Sequence, residues 1–222
     1  MNFIISITSP EALPVLTGVC EDMALPLNVT LSGRGTAVKS MLDVLGIESN
    51  LKRIMFSVAN EEKTREFITR QKRQLHIGVP GHGIVIAVPV KSIGGGKTVA
   101  YLRGEDGTAK YTPSLNYAYE LIVVIANEGR TDKVMNAARA AGARGGTVLH
   151  GKGTGSEAAM KFLNISIADE KEVILIVAPT AEKTAIMSEI LKKAGPDTDA
   201  KAIAFSLPTS AVAGFGFSGD AE

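Results

Sequence analysis

Arg53-Ile54-Met55-Phe56-Ser57-Val58-Ala59 returns 119 residues later as Glu172-Val173-Ile174-Leu175-Ile176-Val177-Ala178. Both runs are apolar at nearly every position, the pattern of a strand buried on both faces. Working outward, Gly33-Arg34-Gly35-Thr36 returns 118 residues later as Gly151-Lys152-Gly153-Thr154. Lys63-Thr64 returns as Lys183-Thr184, and 84–89 (IVIAVP) as 203–208 (IAFSLP), at offsets of 120 and 119. Four collinear matches at a nearly constant offset predict a tandem duplication. The first unit covers 1–93 and the second 119–214, with a connector at 94–118 and a tail at 215–222.

Each unit shows the same order of elements. In the first, strand 3–8 precedes a helix that Ser9 can cap, with Pro10 at its tolerated first position. Leu13, Leu16, Cys20 and Met23 recur at helical spacing, which puts Cys20 on the buried stripe. Strand 27–31 leads into a loop opened by Gly33. Strand 53–59 follows, and Asn60 can cap a helix whose stripe is Thr64, Phe67, Ile68, Gln71 and Leu75. Strand 84–90 ends the unit. The second unit reads as strand 121–126, helix 131–141 stopped by Gly142, and strand 147–150. Strand 173–178 comes next, then helix 180–194 stopped by Gly195-Pro196, then strand 203–207. The order β-α-β-β-α-β, met twice, predicts an α+β fold of two tandem ferredoxin-like units with antiparallel sheets. Two helices cover one face of each sheet. Because the strands are apolar on both sides, the other face needs a cover, either the second half or another chain, and oligomerisation is expected. The connector starts Gly-rich and holds Tyr101, Tyr111 and Tyr117, so its later part is expected to pack on a surface. The tail from Gly214 onward is expected to be mobile.

Composition bounds the function. The chain has 222 residues, 45% hydrophobic and 21% charged, an ordinary globular mixture. A net charge of +1 gives no electrostatic argument for nucleic acid or an anionic membrane as main partner. A single cysteine excludes an intrachain disulfide, and three histidines argue against a Cys/His zinc site. No apolar run approaches the roughly 20 residues of a membrane span. The start, MNFIISITSPEALP, reads as a mature strand without a basic leader, so a soluble cytoplasmic protein is expected.

Several segments carry possible chemistry. Gly94-Gly95-Gly96-Lys97-Thr98 looks like the end of a phosphate-binding P-loop, but Lys91 stands where the motif needs its first glycine, which favours a plain linker. In Gly33-Arg34-Gly35-Thr36 and Gly151-Lys152-Gly153-Thr154, two glycines bracket a cation directly after a strand. Such a turn can aim N–H groups inward at a phosphate, and its repetition in both halves favours an anion site over a bare turn. A second loop precedes the last strand of each unit. The first copy, with Gly78, Gly81, His82 and Gly83, is a plausible phosphate cradle. In the second copy Lys201 stands between Ala200 and Ala202, and a simple helix-to-strand connection is favoured. The two loops can converge on one ligand at an edge of the sheet. His76, His82 and His150 lie at no metal-ligand spacing. Lys63, Arg65, Arg70, Lys72 and Arg73 share a helix with Glu61, Glu62 and Glu66 and read as a solvated face. Cys20 is expected to be buried and inert. No catalytic constellation stands out, and an enzyme is not expected.

The runs 120–127 (ELIVVIAN) and 141–155 (AGARGGTVLHGKGTG) resemble the PII family of nitrogen regulatory signalling proteins. In that family the strand before the long T-loop ends in Gly-x-Gly, matched here by Gly33/Gly35 and Gly151/Gly153. The Gly-rich B-loop, which binds nucleotide phosphates, is resembled well by Pro80-Gly81-His82-Gly83 and less well by Asp199-Ala200-Lys201-Ala202. The resemblance implies a regulator of nitrogen metabolism that binds ATP or ADP between subunits of a trimer and docks its T-loop on an enzyme or transporter. It implies nucleotide contacts at Gly33, Arg34, Gly35, Thr36, Gly81, His82, Gly83, Gly151, Lys152, Gly153, Thr154 and Lys201, and no cofactor or metal besides that ligand. There are departures. The stretches 36–50 and 154–169 contain no tyrosine to uridylylate and are short and apolar for a signalling arm. Thr36 or Thr154 stands near the place of the family's glutamine. A two-unit chain that keeps threefold rings closes with three chains and six units. A tandem ACT-like module sensing an amino acid is the alternative. A CutA-like trimer lacks its clustered ligands here, and an RNA-binding sheet lacks its stacking aromatics.

Overall fold

The structure, a computed structural model, describes residues 1–25, 28–36, 50–90, 116–152, 170–214 and 216. The P-loop-like run, most of the connector, residues 37–49 and 154–169 of the T-loop stretches, Gly153 and residues 217–222 lie outside the described residues. In chain order the first half holds β1 (Asn2–Thr8), α1 (Leu13–Asp22), β2 (Asn28–Gly35), β3 (Leu51–Ala59), α2 (Glu61–Gln74) and β4 (Ile84–Pro89). The second holds β5 (Asn116–Asn127), α3 (Thr131–Ala140), β6 (Thr147–Lys152), β7 (Glu170–Pro179), α4 (Thr180–Ala194), β8 (Ile203–Thr209) and β9 (Ala211–Gly214).

All these strands form one antiparallel sheet in the order β8-β5-β7-β6-β2-β3-β1-β4-β9. Side chains alternate across a strand, and the burial follows that alternation. Ile4 of β1 packs with Leu16, Phe67 and Ile68 under α1 and α2. Ile122 of β5 packs likewise with Val134 and Ile186 under α3 and α4. The neighbours Ile5, Ile7 and Ile54 turn the other way and meet Leu121, Val123, Leu175 and Val177 in a third buried cluster. The one sheet therefore folds back on itself: its two halves form the inner layers, their helix-free faces pressed together, with helices outside each. This corrects the argument for oligomerisation: the second face is covered within the chain, so other copies are not needed to cover it.

Two seams hold the halves. At the first, Gly33, Arg34 and Gly35 of β2 pair with Leu149, Val148 and Thr147 of β6. At the second, the chain leaves β8 at Ser210 and crosses to the first half, where β9 adds to the edge of β4, Ile84 opposite Gly214 and Ala87 opposite Ala211. Ser210 fixes the crossing: its N–H donates to the Ala87 carbonyl at 2.8 Å and its hydroxyl to Asn2 Oδ1 at 2.7 Å. The mobile tail expected from Gly214 is thus preceded by a strand that the sequence does not announce, and Gly214 itself belongs to it.

The helices show where local rules suffice. All five expected stripe residues of α2 are buried, while Arg65–Glu61 and Arg70–Glu66 pair on its outer side. Asn60 caps the helix as predicted, its Oδ1 accepting from the Lys63 N–H at 2.8 Å. Asn60→Ala is expected to cost about 1 kcal/mol, read as a melting temperature lower by roughly 2–4 °C. Ser9 differs. It precedes a short 3-10 turn, Pro10–Ala12, and makes no side-chain cap bond; its hydroxyl instead helps hold the Glu11 carboxyl below its usual range, behind Glu11's own backbone bond. Cys20 is buried, and desolvation pushes its thiol up to about 11, the setting of an inert cysteine.

Candidate functional site

Gly33 is a strand residue, not the head of a turn. It lies buried in β2 between β3 and β6, and neither Gly33 nor Gly35 has positive φ. A Cβ on Gly33 would stand 2.6 Å from both Ile54 Cδ1 and the Val148 carbonyl oxygen. The first glycine is therefore needed for close approach of the halves. Gly35, two residues on, leaves room: its nearest neighbours would be Lys52 Cε at 3.5 Å and Asn50 O at 3.6 Å.

Gly35 opens onto a cavity of about 240 Å³. Its floor is apolar, made by Ile7, Ile86, Leu175 and Val177 at one end of the space between the sheets. Its rim is polar and backbone-rich. Gly35 ends β2 and Thr36 follows it, Gly81 and Gly83 come from the loop before β4, and Gly145 and Gly146 from the loop before β6. Gly81 and Gly83 have φ of 86° and 126°, which glycine alone adopts without strain. Thr36 locks the two halves at this rim, its N–H donating to Gly146 O at 3.0 Å and its Oγ1 accepting from Gly146 N at 2.8 Å. The end of β2, the loop before β4 and the loop before β6 thus line one cavity.

Two cations lie on the rim, Lys52 of β3 and Arg144. Lys52 donates to the Gly81 carbonyl at 3.3 Å, its one hydrogen-bond acceptor among the described residues. Burial pulls its pKa below the ordinary lysine value, and Glu11 only partly offsets this. A half-buried ammonium whose charge is disfavoured by burial is favoured by an arriving anion. Arg144 donates to Gly216 O at 2.8 Å.

The other predicted residues scatter. Arg34 lies on the opposite face of β2 and lines a different cleft. His82 is exposed beside the cavity, its Nδ1 3.2 Å from Leu75 O. Gly151 and Lys152 end β6, paired with Lys171 and Glu170 and exposed. Lys201, with φ of 48°, turns the chain between α4 and β8. The second half has no matching open rim among the described residues. Lys171, at the position of Lys52, is buried and donates to Asn127 Oδ1 at 2.5 Å. Asn127 Nδ2 in turn donates to Asp199 O at 3.0 Å, and Asp199 pairs with Arg130 and Lys133. Lys52, Arg144, Gly145 and Gly146 are the residues a motif search misses; the recurrence of lysine at 52 and 171 is the signal that points to the first.

Among the described residues no group of three or more His, Cys, Asp or Glu side chains is placed to hold a metal ion. No described helix is long and apolar enough to cross a membrane.

Comparison with known proteins bears on the second half. Residues 119–214 match the family model described as Nitrogen regulatory protein P-II. No curated protein matches the chain. Among solved structures, one titled "Crystal Structure of an Unknown Protein from Galdieria sulphuraria" is 10% identical over 93% of this chain and 97% of that one, with a TM-score of 0.29.

Proposed function

We propose that the chain is a PII-like signal-transduction regulator, two ferredoxin-like units in tandem, that binds an adenine nucleotide in the cavity between its sheets and modulates a partner protein of nitrogen metabolism. One observation carries the reading: Gly35, Thr36, Gly81 and Gly83 meet Lys52 and Arg144 around an apolar floor. That arrangement suits a ligand with a flat apolar end and an anionic end, the base inside and the phosphates on the cationic, glycine-lined rim. The cavity is smaller than the ~300 Å³ at the lower end of ligand clefts, so part of the nucleotide rests on the rim. The described second half offers a closed network in the equivalent place, which makes one site per chain the expected stoichiometry. The regulator acts by differential binding of ligand states, with no bond made or broken. Assembly into three chains and a cytoplasmic location belong to the same proposal.

Gly35→Asp tests the site with little cost to the fold, because a Cβ there meets only ordinary contacts. The new carboxylate stands next to Lys52 and repels phosphate. Calorimetric titration with ATP and with ADP is expected to show one binding event per chain, weakened about a hundredfold in Gly35→Asp and about tenfold or more in Lys52→Met. Absence of binding by the unmodified chain would remove the nucleotide reading.

A further inference from the structure

A second cleft, of about 440 Å³, lies across β2 from the first cavity, and Gly35 and Thr36 line both. Arg34 pairs with Val148, whose side chain packs under α3 and α4, so Arg34 points to the helix side of the second half. His150 of β6 and Glu172 of β7 continue that floor. The wall is α3, which presents Asp132, Asn136 and Arg139 at the spacing of one helix face.

Some of these side chains have structural duties. Arg139 donates to Thr36 O across the seam. Glu172 Oε2 accepts from the Arg130 and Thr131 N–H groups at 3.1 and 2.9 Å and from Thr131 Oγ1 at 2.8 Å, closing the start of α3. Arg34, Asp132, Asn136 and His150 have no such role: among the described residues their side chains make no hydrogen bond or ion pair, though they face one space. The other half supplies an internal control. Its helix α1 has the same ten-residue length as α3, yet carries Pro14, Gly18 and Glu21 where α3 carries Asp132, Asn136 and Arg139. Ser32 and Arg53 stand where His150 and Glu172 do. The order of elements is thus built once without this polar set, so the fold does not demand it.

We infer that this cleft is a second binding site, for a zwitterion: an α-amino acid with a polar side chain. The charge pattern selects that class. A polyanion would face Asp132 and the buried Glu172, and a simple cation would face Arg34 and Arg139. A ligand with both charges satisfies both. Its carboxylate takes the fork of Arg34, its ammonium takes Asp132, and the Asn50 and Asn136 amides and the His150 ring meet the side chain. The volume falls within the range of small-molecule clefts, roughly 300–1,000 Å³. Because Gly35 and Thr36 line both spaces, an occupant here touches residues of the other rim.

The test is calorimetric titration of the full chain with each common L-α-amino acid. Every ligand found is repeated as the amine lacking its carboxylate and as the acid lacking its ammonium. At least one amino acid is expected to bind, with both truncated analogues weaker by about tenfold to a hundredfold. Arg34→Met and Asp132→Asn, both exposed positions, are expected to lose the same factor while melting like the unmodified chain. Failure of every amino acid to bind overturns the assignment. So does equal binding by the two variants, or binding of an amine or acid alone as tight as that of the zwitterion. ATP binding is read in a separate titration, so loss of the nucleotide reading leaves this one standing.

Discussion

Gly83→Ala is expected to destabilise the chain by about 3 kcal/mol or more, because two penalties fall on one atom. The residue has φ of 126°, a conformation that costs an alanine about 1–3 kcal/mol. The new methyl would also stand 2.2 Å from the carbonyl oxygen of Ile7 and 3.3 Å from Ile77 Cδ1. Backbone cannot swing aside as a side chain can, and forced overlap of this kind adds about 1–3 kcal/mol. For a chain of this size the sum corresponds to a melting temperature lower by roughly 6–12 °C. Gly78→Ala supplies the comparison. Its φ is 121°, but its Cβ would enter open space, so only the conformational penalty of about 1 kcal/mol is expected. Equal melting temperatures for the two variants would show that the close approach of Gly83 to β1 does not exist.

That approach bears on function because Ile7 and Gly83 both line the cavity. The glycine brings the loop before β4 down onto the end of β1, which narrows the floor and leaves the Gly81 carbonyl within reach of Lys52. A phosphate-binding role for Gly83 and a packing role are thus separable: the packing role is visible in the structure, and the binding role is measured only by titration.

What could be read from the sequence follows the range of the forces involved. Helix 180–194 coincides with α4, and the α2 stripe is buried residue for residue, because spacing and caps are local and act through the chain's own neighbours. The strand β2 extends four residues beyond its readable end at Leu31, since Ser32, Gly33, Arg34 and Gly35 have little strand preference and are held by pairing with β3 and, at Gly33 to Gly35, with β6 as well. β9 is four small residues, Ala211–Gly214, with no pattern of their own; the free edge of β4 and the Ser210 crossing make them a strand. The apolar second face of each half is legible, but its partner is not, because face-to-face packing joins β1, β3 and β4 to β5 and β7 across long stretches of chain. The site divides in the same way. Glycine loops mark themselves, whereas Lys52 and Arg144 are two cations among 24 until the fold brings them to one rim.

The second large effect concerns that shared face. Residues 116–209 expressed alone are expected to self-associate or fail to fold, while the full chain unfolds in a single transition. In the fragment Leu121, Val123, Leu175 and Val177 lose their cover from Ile5, Ile7, Ile54 and Ile86. Re-exposing four such side chains forfeits on the order of 6–12 kcal/mol, taking ~1.5–3 kcal/mol for each. That is comparable with the ~5–15 kcal/mol that holds a whole domain together. The fragment also frees the edge of β6, a second invitation to association. Sedimentation velocity and a calorimetric melt read both expectations. A well-folded monomeric fragment, or two separate transitions in the full chain, would show that the inter-sheet cluster contributes little. The fragment spans all but the last five residues of the stretch that matches Nitrogen regulatory protein P-II. Alone, the fragment presents a helix-free face, which in the full chain is covered by Ile5, Ile7, Ile54 and Ile86 of the first half. The need to cover that face therefore does not argue for three chains.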